Sequence, residues 1–183
     1  MSGAAAAKGA PDRRAPASPA LARRSLPSGL ELVVASLPHL HTTTVTVLAK
    51  AGPRYETPRT NGLSHLCEHM LFRGTDNRPT AYELNRAIED LGGTLEGETH
   101  VDQTLYQVAL PPENVAAGLA LLGEIFSAPK FEGLDVEKRI VREEILEGLD
   151  EDGREIDIDE LARAQLFAPH PLGLSLTGAT ANV

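Results

Sequence analysis

The sequence has one cysteine, no tryptophan and no hydrophobic run of the length that a membrane span requires. Two thiols are needed for a disulfide, so Cys67 cannot form one within the chain, and the cysteine content does not indicate an oxidising compartment. A bilayer span needs about 20 consecutive apolar residues, and no unbroken apolar stretch follows the basic residues near the N-terminus. We therefore expect neither membrane insertion nor export by a standard signal peptide.

An excess of positive charge is also missing. The 17 Lys and Arg residues are outnumbered by 26 Asp and Glu residues, which gives a formal net charge of −9. Such a chain has no general electrostatic attraction for nucleic acid or for an anionic membrane, so we expect neither as a partner. What the sequence does have is 183 residues, 42% of them hydrophobic, and this is enough for one globular domain with its own core.

Residues 1–26 differ in composition from the remainder of the chain. They are rich in Ala, Pro and Arg, show no hydrophobic period and contain one acidic residue, Asp12. This composition predicts a disordered tail, followed by a single domain over residues 27–183. An Arg-rich, acid-poor N-terminus is also typical of organelle transit peptides. Because prolines oppose an amphipathic helix, we predict a solvated tail and a cytoplasmic protein, with organelle targeting as the alternative.

The pattern of the remaining residues predicts an α+β fold. Strands are expected at residues 31–36, 42–49, 94–98 and 103–110, and helices at about 63–72, 81–91, 113–127, 134–149 and 160–167. The simplest arrangement pairs the first two strands with each other. The order of elements predicts a largely antiparallel sheet with helices packed on one face.

The first predicted helix contains the motif His65-Leu66-Cys67-Glu68-His69. Residues four apart lie one above the other on a helix, so His65 and His69 can direct neutral imidazoles at one metal ion. Glu68 lies beside His69, where its carboxylate can take a proton from a metal-activated water without itself binding the metal. A purely structural role is the weaker interpretation, because two buried imidazoles and a carboxylate without a metal are costly to desolvate.

The other candidate ligands do not share this spacing. Cys67 is rotated by about 100° from Glu68 around the helix, so we expect it to pack into the core rather than to join the metal. No chemistry is assigned to the four histidines outside the motif, which are His39, His41, His100 and His170.

Residues 62–75, Gly-Leu-Ser-His-Leu-Cys-Glu-His-Met-Leu-Phe-Arg-Gly-Thr, closely resemble the signature of peptidase family M16, the insulinase, pitrilysin and mitochondrial-processing-peptidase family. In that family a glutamate far downstream completes the zinc site, and residues 137–145 resemble the segment that carries it. Glu137 and Glu144 are seven residues apart, about two helical turns, whereas Glu143 is rotated by about 100° from Glu144. Two apolar residues on the same face, Ile140 and Val141, predict that this pair turns inward.

The resemblance implies one zinc ion per chain. Its ligands would be His65, His69 and Glu144, with Glu68 as the general base that activates water. Glu137 would be a supporting carboxylate that orients the site from behind the ligands.

Residues 92–99 resemble the family's strand that borders the active site and pairs with an extended substrate. An edge strand can bind a peptide backbone with little regard for sequence, although an ordinary protected edge strand is an almost equal alternative. The candidate substrate contacts are Glu96, Gly97 and Thr99. Family members commonly have Asn where Glu96 stands.

The function that the resemblance implies is zinc-dependent endopeptidase activity on extended peptides or unfolded proteins. Family members usually continue beyond the equivalent of this chain, so we expect an incomplete M16-type domain whose active-site chamber is completed by a second M16-like domain or subunit. The alternatives are a non-catalytic scaffold subunit of the same fold and an inactive zinc-binding fragment. All four zinc-site positions are filled, which favours the enzyme.

Overall fold

The computed structural model describes residues 20–182, and the chain divides into two compact units between Leu40 and His41. In its described part, the first unit is a hairpin of two antiparallel strands, β1 (Ala20–Ser25) and β2 (Glu31–Ser36). A short turn with a Leu26–Leu30 backbone hydrogen bond of 2.8 Å joins them. Both strands are exposed along their whole length.

This hairpin corrects two sequence predictions. Residues 20–25 were expected to belong to a disordered tail but form β1, and residues 1–19 of that predicted tail lie outside the described residues. The start of the domain at residue 27 stays a prediction. The pairing of the first two predicted strands is also wrong, because β2 pairs with β1. The sequence of β1, Ala-Leu-Ala-Arg-Arg-Ser, has little intrinsic strand preference. It forms a strand because β2 pairs with it, and this pairing is not visible in the sequence pattern.

The second unit contains a three-stranded antiparallel sheet. Its strands are β3 (Thr43–Ala49), β4 (Thr94–Thr99) and β5 (Thr104–Leu110), in the order β3-β5-β4. The central strand β5 buries alternate residues, Thr104, Tyr106, Val108 and Leu110, as expected for a sheet with one covered face. On the opposite face, side chains such as Leu48 are exposed.

The described helices are α1 (Leu63–Leu71), α2 (Ala81–Glu89), α3 (Val115–Ser127), α4 (Leu134–Glu147) and α5 (Ile158–Phe167). All five predicted helices are present, with ends within two residues of the prediction. The core cluster joins α2, β5 and α3 through Leu84, Ile88, Val108, Leu110, Leu121, Leu122 and Ile125. The predicted α+β architecture, an antiparallel sheet with helices on one face, is confirmed.

No helix among residues 20–182 has both the length and the apolar character needed to cross a bilayer.

Tyr106 docks the C-terminal end of α1 on the sheet. Its ring packs edge to face against Phe72 and against Phe126 of α3, with centroid separations of 5.9 and 5.0 Å. Edge-to-face aromatic pairs add about 0.5–1.5 kcal/mol each beyond the apolar area that they bury. This contact places the side of α1 that carries Glu68 next to β4 and β5.

Candidate metal centre

A buried carboxylate from outside the helix caps the N-terminus of α1. The helix begins after Gly62 without a capping side chain of its own. Glu56, only 7% exposed, accepts hydrogen bonds from the backbone N–H groups of Gly62 (2.9 Å) and Ser64 (2.7 Å) and from the Asn61 side chain (3.1 Å). A negative charge at this end also interacts favourably with the helix dipole. Sequence reasoning missed Glu56, because it lies outside the positions at which a local capping pattern is recognised.

Close backbone packing holds the same end of α1 from the other side. A Cβ atom at Gly62 would lie 2.9 Å from the Cα atom of Gly178, and one at Gly178 would lie 2.5 Å from the Cα atom of Gly62. Both glycines also have positive φ angles, so other residues would be strained there. The Asn61 side chain donates to the carbonyl of Ser175 at 2.8 Å. The first turn of the motif helix is therefore held by residues that are distant in sequence.

We expect the substitution Glu56→Ala to lower the free energy of unfolding by about 2–3 kcal/mol, because three N–H donors would lose a buried acceptor. Urea unfolding of the metal-free protein measures the effect. Glu89→Ala, at an exposed position on α2, is the control and should change the stability by less than about 0.5 kcal/mol. Equal stabilities of the two variants would contradict the capping role.

Helices α1 and α4 bring three potential ligand atoms together. Nε2 of His65 and Nε2 of His69 are 3.2 Å apart, and Oε2 of Glu144 lies 3.4 Å from the first and 3.5 Å from the second. Tetrahedral zinc keeps nitrogen and oxygen ligands at about 2.0–2.2 Å, so its ligand atoms are separated by about 3.3–3.6 Å. The donor set therefore fits one zinc ion and leaves a fourth position open.

The choice between the neighbouring glutamates follows from the burial of α4. The buried stripe of this helix is Glu137, Val141 and Ile145, at intervals of four residues, and Glu144 lies beside it. Glu143 is exposed and outside the cluster of potential ligands. The expectation that Ile140 faces inward is wrong: it is 42% exposed, because it lies about 100° around the helix from Val141.

Burial lowers the pKa of His65 below its ordinary value, and the neighbouring His69 adds to this effect, while Glu144 and Glu68 oppose it. The His65 imidazole is therefore neutral at pH 7, which is the form that can donate a lone pair to a metal. The other ring nitrogen of His65, Nδ1, is buried and makes no hydrogen bond of normal geometry. The nearby backbone of Thr177 partly offsets the lowering of the His65 pKa.

A partly buried ion pair lies behind His69. Nδ1 of His69 is 3.1 Å from Oε2 of Glu137, and Oε1 of Glu137 is 3.0 Å from Nη1 of Arg73. Glu137 is 4% exposed. An ionised carboxylate is only an acceptor, so Nδ1 carries the proton and the lone pair of Nε2 faces the other two ligand atoms. Sequence reasoning placed Glu137 here but assigned no role to Arg73, the counter-ion of its carboxylate.

Glu68 lies outside the triangle of ligand atoms and faces β4. Its Oε2 accepts a hydrogen bond of 2.7 Å from Oγ1 of Thr99, and a Cβ atom at Gly97 would lie 2.9 Å from its Oε1. Burial, together with the charge of Glu68, raises the pKa of the nearby Tyr106 to about 12, so this phenol stays neutral. Glu96 is exposed on the face of β4 opposite to Gly97 and Thr99. The structure thus brings two of the three β4 candidates to Glu68.

The expectation that Cys67 packs into the core is wrong, because the residue is exposed. Leu71, one turn further along α1, packs against the core cluster. Cys67 lies one turn nearer the N-terminus of the helix and is not part of that cluster. Helix phase predicts which side of a helix a residue occupies, but not how far along the helix the core extends.

Comparisons with known proteins show which family this sequence is similar to. The family model described as "Insulinase (Peptidase family M16)" matches residues 32–180. A probable mitochondrial-processing peptidase subunit beta of Arabidopsis thaliana is 40% identical over 87% of this chain and 30% of its own length. An uncharacterized zinc protease of Mycobacterium tuberculosis is 30% identical over 93% of this chain and 40% of its own length. The chain therefore spans well under half the length of these relatives.

A solved structure shares the fold. The crystal structure of a protease from Helicobacter pylori superimposes with a TM-score of 0.80 and 24% sequence identity, covering 90% of this chain and 40% of the other. This likeness shows the fold, and the match of the family model over residues 32–180 establishes the family. The chain belongs to the insulinase family, peptidase family M16.

Proposed function

We propose that this chain carries the catalytic centre of a zinc-dependent endopeptidase. In this proposal His65, His69 and Glu144 hold one zinc ion per chain, and Glu68 is the general base. The observation that carries it is the triangle of ligand atoms with sides of 3.2–3.5 Å, next to a carboxylate on the same helix that lies outside the triangle. The names of the mycobacterial relatives, zinc proteases, support the choice of metal.

A zinc ion bound here would polarise the scissile carbonyl and make water easier to deprotonate. The protein's part of the reaction is proton transfer. Oε2 of Glu68 is engaged by Thr99, so we assign the proton of the attacking water to Oε1. Glu68 then delivers this proton to the amine that leaves when the peptide bond breaks.

The substrate that suits this site is an extended peptide. In the described sheet β4 is an edge strand, because its only partner in the order β3-β5-β4 is β5. The unpaired N–H and C=O groups of such an edge can bind a peptide backbone in any sequence context. Gly97 has no side chain, so Phe72 and Glu68 pack closely against this strand, within 2.5–2.9 Å of where a Cβ atom would lie.

We further propose that a second M16-like domain or subunit completes the active-site chamber. The Arabidopsis relative is named as a subunit, and this chain covers 30% of it. Within the second unit, α5 exposes Ile158 and Leu166 for more than three-quarters of their surface, and a second domain could cover these side chains. The same relative is named as mitochondrial, which fits the organelle-targeted alternative better than the cytoplasmic prediction.

The test is to load the purified chain with zinc and to measure both metal content and cleavage of an unstructured fluorogenic peptide. We expect about one zinc per chain, and cleavage that a chelator abolishes and added zinc restores. Absence of bound zinc would contradict the proposal. Bound zinc without cleavage would support the inactive-fragment alternative for the isolated chain.

A further inference from the structure

We infer that Thr99 is a positioning residue for Glu68: its hydroxyl holds the carboxylate in one orientation beside the ligand triangle. This inference rests on the proposed function only for its catalytic consequence. It changes the role of Thr99 from a contact on the substrate-binding strand to a residue that acts through the general base.

The contact between the two side chains is short, and its Thr99 side is buried. Oγ1 of Thr99 lies 2.7 Å from Oε2 of Glu68, and Thr99 is 6% exposed. Hydrogen bonds to an ionised carboxylate are about twice as strong as neutral ones. Thr99 is therefore poorly placed to touch a substrate and well placed to hold Glu68.

An ionised Glu68 carboxylate can only accept, so the Thr99 hydroxyl donates to it, and a longer contact from the neighbouring strand is compatible with this direction. Thr104, fully buried on β5, is paired with Thr99, and their Oγ1 atoms are 3.5 Å apart with Thr104 as donor. When Thr99 accepts this bond, its own proton is free to be donated to Glu68. Two threonines from adjacent strands thus form a relay that ends on the general base.

This relay matters because the terminal torsion of a glutamate side chain is broad. Rotation about χ3 exchanges the two oxygens at little cost when nothing holds them. The Thr99 bond holds Oε2, while Oε1 stays against Gly97, whose missing Cβ leaves room for it. An orientation set before the reaction removes an entropic part of the barrier, and a misplacement of about 1 Å can cost about 100-fold in rate.

The first test separates the hydroxyl from the shape of the side chain. Thr99→Val keeps the branched shape and is expected to lower kcat about 10–100-fold, with KM within about twofold and zinc content unchanged. Thr99→Ser keeps the hydroxyl and should recover kcat to within about threefold. Thr44→Val, the same substitution on the exposed face of β3, is the control for the general effect of replacing threonine with valine in a strand. Equal losses in the Val and Ser variants would overturn the inference.

The second test needs neither metal nor activity. In the metal-free chain, Thr99→Val and Glu68→Ala are combined in a double-mutant cycle measured by urea unfolding. We expect the effects of the two substitutions on the folding equilibrium constant to be coupled by about 10-fold, and those of Thr44→Val and Glu68→Ala to be independent. Additive effects of Thr99→Val and Glu68→Ala would overturn the inference while leaving the proposed function intact. Coupling in a chain that cleaves nothing would support the Thr99–Glu68 pair and contradict only the activity of this chain.

Discussion

Replacing Glu68 with glutamine is expected to lower kcat about 10²–10⁴-fold while leaving the bound zinc at the wild-type level. This range is the usual contribution of a positioned general base. The metal is retained because Glu68 lies outside the triangle formed by His65, His69 and Glu144. Glutamine has the same shape, and its amide oxygen can still accept the hydrogen bond from Thr99. The loss therefore reports proton transfer rather than a displaced side chain.

The measurement is single-turnover cleavage of the peptide substrate together with the zinc content of each preparation. Glu89→Gln, an exposed change on α2, is the matched control and should alter neither quantity. A Glu68→Gln protein that cleaves the peptide at the wild-type rate would rule out Glu68 as the general base. A variant that loses zinc instead would make Glu68 a ligand.

Three glutamates of α4 should differ in their effect on zinc affinity when each is changed to glutamine. We expect a loss of about 100-fold or more for Glu144→Gln, about 10–100-fold for Glu137→Gln and no change for Glu143→Gln. The first value follows because a binding free energy of about 10–16 kcal/mol, divided over three protein ligands, assigns at least about 3 kcal/mol to each. The second is the usual cost of losing a carboxylate that orients a ligating histidine.

The structural basis of this order is the position of each carboxylate. Glu144 reaches both imidazoles at 3.4 and 3.5 Å. Of the two imidazoles, Glu137 contacts that of His69, at the nitrogen away from the ligand triangle, and Glu143 is exposed. Competition with a zinc-binding dye measures all three affinities under identical conditions. A loss of zinc in Glu143→Gln with full retention in Glu144→Gln would show that the third ligand has been assigned to the wrong residue.

The features that the sequence predicts well are those that depend on local geometry. The bounds of β2 and the first residue of α1 agree with the structure, because Gly29 and the Asn61-Gly62 pair mark the ends of these elements. His65, Glu68 and His69 share one side of α1 by helix phase alone. The same argument separates Glu144 from Glu143 on α4, and the structure places Glu144, not Glu143, beside the two histidines.

The predictions that failed depended on which segments meet. Helix phase correctly predicted that Cys67 is not among the ligand atoms. It did not show that the core cluster does not extend along α1 as far as Cys67. A strand pattern located β2 but not its partner, because β1 has little strand preference of its own. Glu56 and Arg73 carry no recognised local pattern, since Glu56 caps α1 from outside the usual capping positions and Arg73 pairs with Glu137 on a distant helix.

The amino-acid sequence by itself therefore indicated the family, the five helices, every described strand except β1 and the four residues of the proposed zinc site, because helical periodicity and a short motif are local properties. Only the tertiary structure decided how those residues are held. The ion pair behind His69 and the Thr99 hydroxyl on Glu68 join residues that lie far apart in sequence, and the Glu56 cap spans six residues across a turn that no helical period describes. Hydrogen bonds of this kind depend on distance and direction in space, and no periodicity along the chain encodes them.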